Sequence, residues 1–414
     1  MEGGLRAWQQ ADYPLETKTA FRQDCVQCHQ QVTPRIVQDW KQSKHSQDIN
    51  DVYCSVCHGE EHTSGADVHK AEPVRPQTCQ TCHEQQWQQF SRGKHAKAWE
   101  AMQAMPTMHW QPMALTSGMK GCGGCHKIGL KTEEEIAELK KGGGGFGLAS
   151  CDACHTRHTF SVQEARQPQA CRTCHTGFDH AQWEMYEGSK HGTRNELKQL
   201  GTLDDSAAAP TCQTCHMSEG NHEVRTAWGF LGLKLPMPDD AEWAEARATI
   251  FQALGLLDME GERTERFQVI AELDFLRQSE AEWDTERQSM LNVCSDCHSE
   301  NFAIQELARG DEMIRQTDLL MAEAIEVVAD LYTRGVLDQP AQYTQAFPDI
   351  LAFHDAQSSI EQKLFRMFQE YRMRSFQGVF HANPDYALWY GWSRMRQTLI
   401  EIQDMAEELS HKQK

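Results

Sequence analysis

The apolar positions in the C-terminal half of the chain recur with helical spacing. They fall on one face between Asp239 and Leu257, and the pattern returns over Asp311–Thr333, Ser359–Gln377 and Asp385–Leu409. Pro238 and the acidic residues after it are typical of a helix start. No stretch shows the strict alternation of apolar and polar residues that marks a strand. The pattern therefore predicts a mainly α fold.

The N-terminal half has shorter apolar runs, so we expect shorter helices there. A helix is predicted over Lys131–Lys141, and the glycines of Gly142–Gly145 would end it in a loop. The change of pattern divides the chain into a first region over residues 1–225 and a second over residues 226–414. The long helices of the second region need a partner surface, either within a supporting bundle or between protomers.

Composition adds a constraint on the core. Only 39% of the 414 residues are hydrophobic, so the core is thin unless a non-protein group fills it. The net charge of −20 argues against a nucleic-acid partner. No run of about 18 apolar residues exists, so no transmembrane segment is expected. Met1–Gln10 also lacks the apolar stretch of a signal peptide, and any export signal would have been removed or replaced.

All 16 cysteines fall in C-x-x-C-H units. The units are Cys25, Cys28 and His29; Cys54, Cys57 and His58; Cys79, Cys82 and His83; Cys122, Cys125 and His126; Cys151, Cys154 and His155; Cys171, Cys174 and His175; Cys212, Cys215 and His216; and Cys294, Cys297 and His298. Two thiols at this spacing can form thioethers with one haem, and the following His reaches its iron. Disulfide, zinc and thioredoxin-like sites do not require this pattern.

The sequence therefore predicts eight haem c groups, numbered here by their motifs, with the eight motif histidines as proximal ligands. The haems would supply the missing core, and at about 52 residues per haem they must share walls. Haem attachment to this motif normally occurs outside the cytoplasm, so we expect a periplasmic or otherwise extracytoplasmic protein. The first seven motifs lie in the first region, and the eighth lies in the second.

Twelve histidines remain as candidates for the sixth iron position. Three of them end a repeat that reads aromatic-x-x-(Ser/Gly)-Lys-His, with the aromatic residues Trp40, Phe90 and Tyr186. The preferred distal ligands are His45, His62, His95, His109, His158, His191 and His222. Each could instead be a polar surface or structural histidine. Seven distal ligands would leave one of eight irons open, as a catalytic haem requires. His354 and His381 are as readily structural as ligating.

Two further groups of residues suggest chemistry. Asp179 and His180 are adjacent and could transfer protons above an open iron, or could form an ordinary surface pair. Tyr386 and Tyr390 lie in an aromatic cluster at the start of the last predicted helix, where ordinary packing is the alternative.

The eight motifs, the Asp179-His180 pair after the sixth motif and the helical C-terminus resemble the octahaem hydroxylamine oxidoreductase family. The resemblance covers about residues 20–410. It implies a homotrimer, a catalytic haem at the fourth motif with His126 as its proximal ligand, and Asp179 and His180 in the distal pocket. In oxidative members a Tyr of a neighbouring protomer cross-links to that haem to give P460, and Tyr386, with Tyr390 second, matches it.

The resemblance implies an enzyme that oxidises a small nitrogenous substrate, hydroxylamine or hydrazine, and passes electrons to a redox partner such as a small cytochrome c. A reductive enzyme acting on nitrite or hydroxylamine, without the cross-link, is the alternative within the family. The absence of a C-x-x-C-K motif disfavours a different octahaem nitrite reductase class. A non-catalytic electron conduit with eight six-coordinate irons is the alternative of another class.

Overall fold

The structure is a computed structural model. It describes residues 19–47, 52–104, 123–141, 151–177, 179–226, 228–229, 231–276, 279–341, 343, 345–352 and 356–412. Over these residues the fold is mainly α, as predicted, and the extended pairing is one isolated bridge between Leu257 and Arg263. None of the helices in this described part is long and apolar enough to cross a membrane.

The described residues form two compact units. The first unit takes in the chain up to Met102, the residues between 123 and Cys171, and the short segment Gly220–Val224. The second unit contains Arg172–Glu219 and the chain from Arg225 onward. The predicted regions met at residue 225, whereas the sixth and seventh motifs belong almost entirely to the second unit, because Arg172–Glu219 packs there.

Short helices build the first part of the chain. Their bounds are Thr19–Val32, Pro34–Gln42, Lys44–Ser46, Cys54–His58, Val68–Lys70, Pro76–Gln80, Glu84–Arg92, Lys94–Lys97, Ala98–Ala104, Gly123–His126, Glu133–Lys141, Cys151–Ala153, Val162–Ala165 and Gln169–Arg172. Several begin at or inside a C-x-x-C-H motif. The protein core of this unit is small, because Val37, Phe90, Ala96, Ile136 and a few neighbours are its buried apolar side chains among the described residues.

The chain from Gln182 onward contains the longer helices together with several short ones. Their bounds are Gln182–Glu187, Lys190–Gln199, Cys212–His216, Ser218–Gly220, Ala241–Ala253, Glu265–Glu272, Glu280–Ser295, Glu300–Thr333, Ser359–Arg366, Met367–Arg372, Met373–Phe380, Pro384–Tyr386, Ala387–Trp392 and Ser393–Lys412. Helix starts follow the sequence closely, since the side chains of Asp240, Ser299 and Ser358 each accept a backbone N–H of the first turn.

The helix Glu300–Thr333 is the centre of the second unit. Its side chains Ile314, Met321, Ile325 and Val328 are fully buried in one apolar cluster with the neighbouring helices. The helix begins eleven residues before the predicted start at Asp311, directly after the eighth motif. Gly310 obscures this in the sequence, because glycine weakens a helix interior.

A buried ionic cluster crosses this core. Asp318 is completely buried, and its two oxygens accept hydrogen bonds from Arg247 at 3.0 Å and from Arg372 at 2.7 Å. Trp243 donates to the same carboxylate at 2.9 Å. Both guanidinium groups are also buried, so one carboxylate joins three helices.

Candidate haem sites

Among the described residues, six pairs of imidazole rings face each other, each pair within one unit. The ring centroids are 6.1 Å apart for His29 and His62, 6.2 Å for His58 and His158, 6.2 Å for His45 and His83, 6.3 Å for His155 and His222, 6.1 Å for His191 and His298, and 6.3 Å for His216 and His381. Each pair joins one motif histidine to one histidine outside the motifs.

The spacing matches one iron held between two imidazoles. A metal–imidazole bond is about 2.0 Å long and the ring centroid lies about 1.1 Å beyond the nitrogen, so two axial imidazoles have centroids about 6.2 Å apart. Zinc would need further ligands, and no cluster of three or more metal-binding side chains forms within the described residues. The described cysteines form no disulfides. The residues present therefore fit haem c.

Five of the seven predicted distal histidines lie in these pairs, namely His45, His62, His158, His191 and His222. The sequence left His381 open between a structural and a ligating role, and the structure places it opposite the seventh-motif histidine His216. No signal in the sequence near His381 singles it out, because its partner lies far away along the chain. His109 lies outside the described residues, as do His354, Cys122 and Gly142–Gly145. His95 remains a predicted ligand.

Burial favours the neutral form of several paired imidazoles. It is the main cause that lowers the pKa of His45, His58 and His155, and in each case a second histidine nearby lowers it further. The pKa of His381 is also lowered by its burial. Neutral imidazole is the form that binds a metal, so the environment favours the ligating state.

Outer hydrogen bonds orient several of these rings. Nδ1 of His222 donates to the carbonyl oxygen of Gly220 at 2.7 Å, and Nδ1 of His381 donates to that of Gln377 at 2.8 Å. Nδ1 of His62 instead meets the carboxylate of Asp67 at 3.0 Å. With Nδ1 engaged, Nε2 is the nitrogen that points to the opposed ring.

The repeated sequence aromatic-x-x-(Ser/Gly)-Lys-His forms a corner between two helices. In the first copy the Ser43 hydroxyl donates to the carbonyl oxygen of Trp40 at 2.7 Å, and in the third Ser189 does the same to Tyr186 at 2.7 Å. The Lys then starts a new helix, so the His is its second residue. This corner fixes the direction in which the histidine is presented.

Gly93 replaces serine in the second copy for a steric reason. A Cβ at this position would lie 2.2 Å from the carbonyl oxygen of Glu223. The adjoining backbone is therefore too close for any side chain. Glu223 follows His222, and its side chain accepts a hydrogen bond from Arg92 at 2.8 Å, so the second corner also anchors the segment that carries His222.

Thiols of different motifs lie close enough to influence each other. Burial is the main cause that raises the pKa of the Cys54 and Cys57 thiols. Cys25 raises the pKa of Cys54 further, and Cys82 raises that of Cys57 further. Burial together with Cys294 and Cys297 raises the pKa of Cys215 to about 11. The attachment edges of motifs one, two and three are thus neighbours, and so are those of motifs seven and eight.

A direct contact joins the third and fifth motifs. The thiols of Cys79 and Cys151 share a hydrogen bond, which raises the pKa of Cys79 and lowers that of Cys151. The first unit therefore brings motifs one, two, three and five into a connected series. Neighbouring haems at such edges can exchange electrons.

Two glutamines connect the sixth motif to His381. Nδ1 of His175 lies 3.3 Å from Oε1 of Gln182, whose amide donates to Oε1 of Gln377 at 3.0 Å. The carbonyl oxygen of Gln377 then accepts from Nδ1 of His381. This chain of contacts runs between the histidine of motif six and the imidazole that faces motif seven.

The fourth motif is described from Gly123 onward. His126 ends the short helix Gly123–His126, and its Nδ1 lies 3.4 Å from the carbonyl oxygen of Ala98. Lys127 follows it and is buried. Leu130 then donates its backbone N–H to Ala96 at 2.7 Å, which attaches this segment to the second corner.

Asp179 and His180 form a hydrogen-bonded pair through Oδ1 and Nδ1. This bond is the main cause that raises the pKa of His180, burial opposes it, and Glu184 adds to the rise. The imidazole is 36% exposed, so part of the ring can be reached from solvent, and a backbone hydrogen bond with Cys174 also raises its pKa. The pair can therefore exchange protons with a small molecule.

Glu184 holds the loop that carries this pair. Its Oε1 accepts from the Thr176 hydroxyl at 2.6 Å and from the Gly177 backbone at 3.4 Å. Gly177 has φ +126°, a left-handed conformation that favours glycine. Oε2 of Glu184 is buried and has no hydrogen-bond partner within the described residues. Sequence reasoning did not identify Glu184.

Tyr386 packs on Tyr390 with ring centroids 4.8 Å apart. Burial is the main cause that raises the pKa of Tyr386. Asn383 ties this segment down, since its side chain accepts the Tyr386 N–H at 3.0 Å and donates to the Met185 carbonyl at 2.9 Å. Trp389 and Tyr390 beside it are 58% and 52% exposed.

The α fold, the C-x-x-C-H motifs and the opposed imidazoles together define a multihaem c-type cytochrome. The chain belongs to the multihaem cytochrome family described as "Seven times multi-haem cytochrome CxxCH", which matches residues 22–254 and 265–345. The chain therefore carries several haem c groups, as predicted.

Comparison with known proteins confirms the resemblance to hydroxylamine oxidoreductases. The chain is 26% identical to a protein of Kuenenia stuttgartiensis described as a probable nitrite reductase-hydroxylamine oxidoreductase fusion, over 94% of this chain and 52% of the relative. The chain thus spans about half the length of that curated relative.

Two solved structures share the fold. A reducing HAO-like protein complex of Kuenenia stuttgartiensis aligns with a TM-score of 0.65 and 24% identity, covering 96% of this chain and 88% of the other. A structure described as a hypothetical multihaem protein aligns with a TM-score of 0.68 and 19% identity, covering 98% of each chain. The multihaem fold thus extends over nearly the whole chain.

Proposed function

We propose that the protein is an octahaem c-type oxidoreductase that oxidises hydroxylamine, or hydrazine by the same chemistry. The hydrogen-bonded Asp179–His180 pair carries this proposal, because it supplies a proton acceptor in a chain built to hold haems. His126 would be the proximal ligand of the catalytic haem, which is attached to Cys122 and Cys125. A periplasmic or other extracytoplasmic location is part of the proposal.

Protons must leave the substrate nitrogen together with the electrons. A haem held by Cys122, Cys125 and His126 would supply the iron that accepts those electrons from a nitrogen-bound substrate. His180 accepts protons through Nε2, while Asp179 keeps Nδ1 protonated and stabilises the imidazolium that forms. Glu184 holds the loop through Thr176 and Gly177, so that the imidazole does not swing away.

Seven bis-histidine haems would carry the electrons onward. The six imidazole pairs support this relay, and so does the proximity of cysteines from motifs one, two, three and five in the first unit. The net charge of −20, made more negative by haem propionates, suits a basic partner such as a small cytochrome c.

The homotrimer and the tyrosine cross-link also belong to the proposal. The exposed side chains of Leu388, Trp389 and Tyr390 form a short apolar surface on the helix Ala387–Trp392. We assign this surface to a contact with another protomer, and Tyr386 at its edge to the P460 cross-link, with Tyr390 as the second choice.

Reduction of nitrite or hydroxylamine is the second candidate. Two observations favour it: the name of the Kuenenia relative includes a nitrite reductase, and Asp179 raises the pKa of His180, which suits a proton donor. A reductive enzyme would lack the cross-link.

The deciding experiment assays the purified holoprotein in both directions. We expect eight haems per chain, a high-spin iron signal, and reduction of a small cytochrome c that depends on hydroxylamine. His180→Ala should retain every haem and lose turnover by about 10²- to 10⁴-fold, the usual contribution of a general base.

Three results would contradict the proposal. Full activity of His180→Ala would remove the role of that residue. Turnover only with a strong electron donor and nitrite, without a P460 absorption band, would establish the reductive candidate. Low-spin iron at every haem without turnover would establish an electron conduit.

A further inference from the structure

The histidines that lie opposite a motif histidine differ in the group that hydrogen-bonds to their Nδ1 atom. Nδ1 of His62 lies 3.0 Å from Oδ1 of Asp67, a carboxylate. Nδ1 of His222 and Nδ1 of His381 meet neutral carbonyl oxygens. On the opposite side of the first haem position, Nδ1 of His29 meets the hydroxyl of Thr33 at 2.7 Å. The charged partner thus belongs to His62.

Asp67 is held in place independently of the histidine. Its Oδ1 accepts the backbone N–H of Ser64 at 2.8 Å and that of Thr63 at 3.1 Å, and its Oδ2 accepts the Thr63 hydroxyl at 3.0 Å. These bonds close a tight turn directly after His62. The carboxylate therefore keeps its position whether or not the ring moves.

A carboxylate at this position changes the electronic character of an axial ligand. It draws the Nδ1 proton toward itself, so the imidazole becomes a stronger donor to the iron and stabilises the ferric state. Carbonyl and hydroxyl partners carry no net charge and have a smaller effect. A strong donor of this kind lowers the reduction potential of the haem that it binds.

The second haem position is the neighbour for comparison. His58 lies near both His29 and His62, and the thiol of Cys54 lies near that of Cys25. Nδ1 of His58 is 3.3 Å from the carbonyl oxygen of Glu72, which is neutral. On the other side of the second position, His158 has Asp39, Asp152 and Arg157 nearby, but no carboxylate of the described residues hydrogen-bonds to its ring. The two positions are therefore adjacent and differ in whether a carboxylate is hydrogen-bonded to an axial ligand.

We propose that Asp67 sets the potential of the first haem below that of the second, so that an electron shared between them resides on the second haem. Asp67 is a positioning residue that acts through His62. In this exchange one electron leaves the ferrous iron of the first haem, which becomes ferric, and the ferric iron of the second becomes ferrous. This inference rests on the proposed attachment of haems to both motifs.

The test is a spectropotentiometric titration of the holoprotein carrying Asp67→Asn. Asparagine keeps the shape and the hydrogen-bond acceptor of the turn but removes the charge. We expect the midpoint potential of one haem to rise, with about a tenfold increase in its ferrous-to-ferric ratio at a fixed potential, equal to 59 mV. Asp67→Glu, which restores the carboxylate, should bring the potential back toward the original value.

The matched control is Asp204→Asn. Asp204 accepts the N–H and the hydroxyl of Ser206 in a similar turn, with no histidine bonded to it. This variant should leave every potential unchanged. The shifted component is assigned by its loss in a Cys25→Ala, Cys28→Ala variant, which cannot attach the first haem.

The failures of the two proposals differ. An unchanged set of potentials in an Asp67→Asn protein that retains all its haems would overturn the role of Asp67 alone. Mass analysis that finds no haem on the Cys25–His29 peptide of the unaltered protein would overturn the proposed haem attachment instead.

Discussion

At the scale of single residues, burial on one side and a carboxylate partner on the other divide the histidines into two chemical classes. Buried imidazoles such as His45 and His381 have lowered pKa values and are neutral. His180 is the opposite case, because Asp179 raises its pKa above the ordinary 6.5. The first class suits metal binding, and the second suits proton transfer.

The pH dependence of turnover should report His180 directly. Oxidation needs the neutral imidazole as base, so kcat/KM should rise with pH through the pKa of His180, above 6.5. Asp179→Asn removes the main cause of the raised pKa, so the curve should move to lower pH and the maximal rate should fall. Steady-state kinetics across pH measure this.

Asp284→Asn, which alters an exposed carboxylate on the helix Glu280–Ser295, provides the control and should leave the curve in place. A rate that falls as pH rises would instead indicate that His180 donates protons, as the reductive candidate requires.

Residue identity could be predicted from the sequence where the pattern is local. The C-x-x-C-H motifs and the three repeats single out their histidines without a structure. His381 could not be found in this way, because the property that matters is its position opposite His216, which depends on the packing of a helix far along the chain. Glu184 was not predicted either, because its role depends on hydrogen bonds to Thr176 and Gly177 that only the structure shows.

At the scale of elements, the repeated corner is the unit that presents histidines. A serine closes one helix, starts the next and is almost fully buried at Ser43 and Ser189. Its three-residue spacing from an aromatic residue is visible in the sequence, but the reason for Gly93 is not. That reason is the carbonyl of Glu223, which the fold brings into contact.

Ser189 offers a test of the corner. Ser189→Ala removes two hydrogen bonds of the hydroxyl group. The hydroxyl donates to the carbonyl oxygen of Tyr186 at 2.7 Å and accepts the backbone N–H of Gly192 at 3.1 Å. We expect a loss of about 1 kcal/mol in the free energy of unfolding. Ser189→Gly should lower the free energy of unfolding by only a few tenths of a kcal/mol, because glycine occupies the same position of the repeat at Gly93.

Chemical denaturation followed by helical circular dichroism measures both values. The low-spin signal of the haem assigned to His191 should weaken in the alanine variant. An alanine variant as stable as the unaltered protein would show that the serine does not stabilise this helix as a cap.

The starts of the long helices were predicted closely in some cases and not in others. Apolar stripes and caps located the helices that begin at Ala241 and Ser359 closely. They missed the first third of Glu300–Thr333, where Gly310 lies. A Cβ there would be 1.7 Å from Phe380, so the glycine allows a neighbouring ring to pack against the helix. Tertiary packing thus overrides the local preference.

At the scale of the whole molecule, the two units are stabilised by different means. The second has an extensive apolar core, whereas the first has few buried apolar side chains among its described residues. Haems packed between the imidazole pairs would supply the missing apolar volume of the first unit. The low hydrophobic content of the sequence predicted that a non-protein group fills part of the core. It did not predict that this group is needed mainly in the first unit.

The buried cluster around Asp318 should dominate the stability of the second unit. Asp318→Asn leaves two buried guanidinium groups without a balancing charge, and we expect a loss of about 3–5 kcal/mol in the free energy of unfolding. Asp330→Asn breaks an exposed pair with Arg334 and should cost about 0–1 kcal/mol.

Denaturation of the two holoproteins under one set of conditions compares these values. A small loss for Asp318→Asn, no larger than that of the control, would show that the cluster does not hold the three helices together.

The imidazole pairing also has a consequence for how the protein is made. Under the proposed ligation and location, His29 meets His62 and His45 meets His83, so the first and third haems can gain both axial ligands once the chain has been exported as far as His83. The seventh must wait for His381, which lies far along the chain from His216. Until His381 has been exported, the haem attached at the seventh motif would lack its second axial ligand. The helix Met373–Phe380, which leads into His381, therefore acts later than the helices of the first unit in completing an electron carrier.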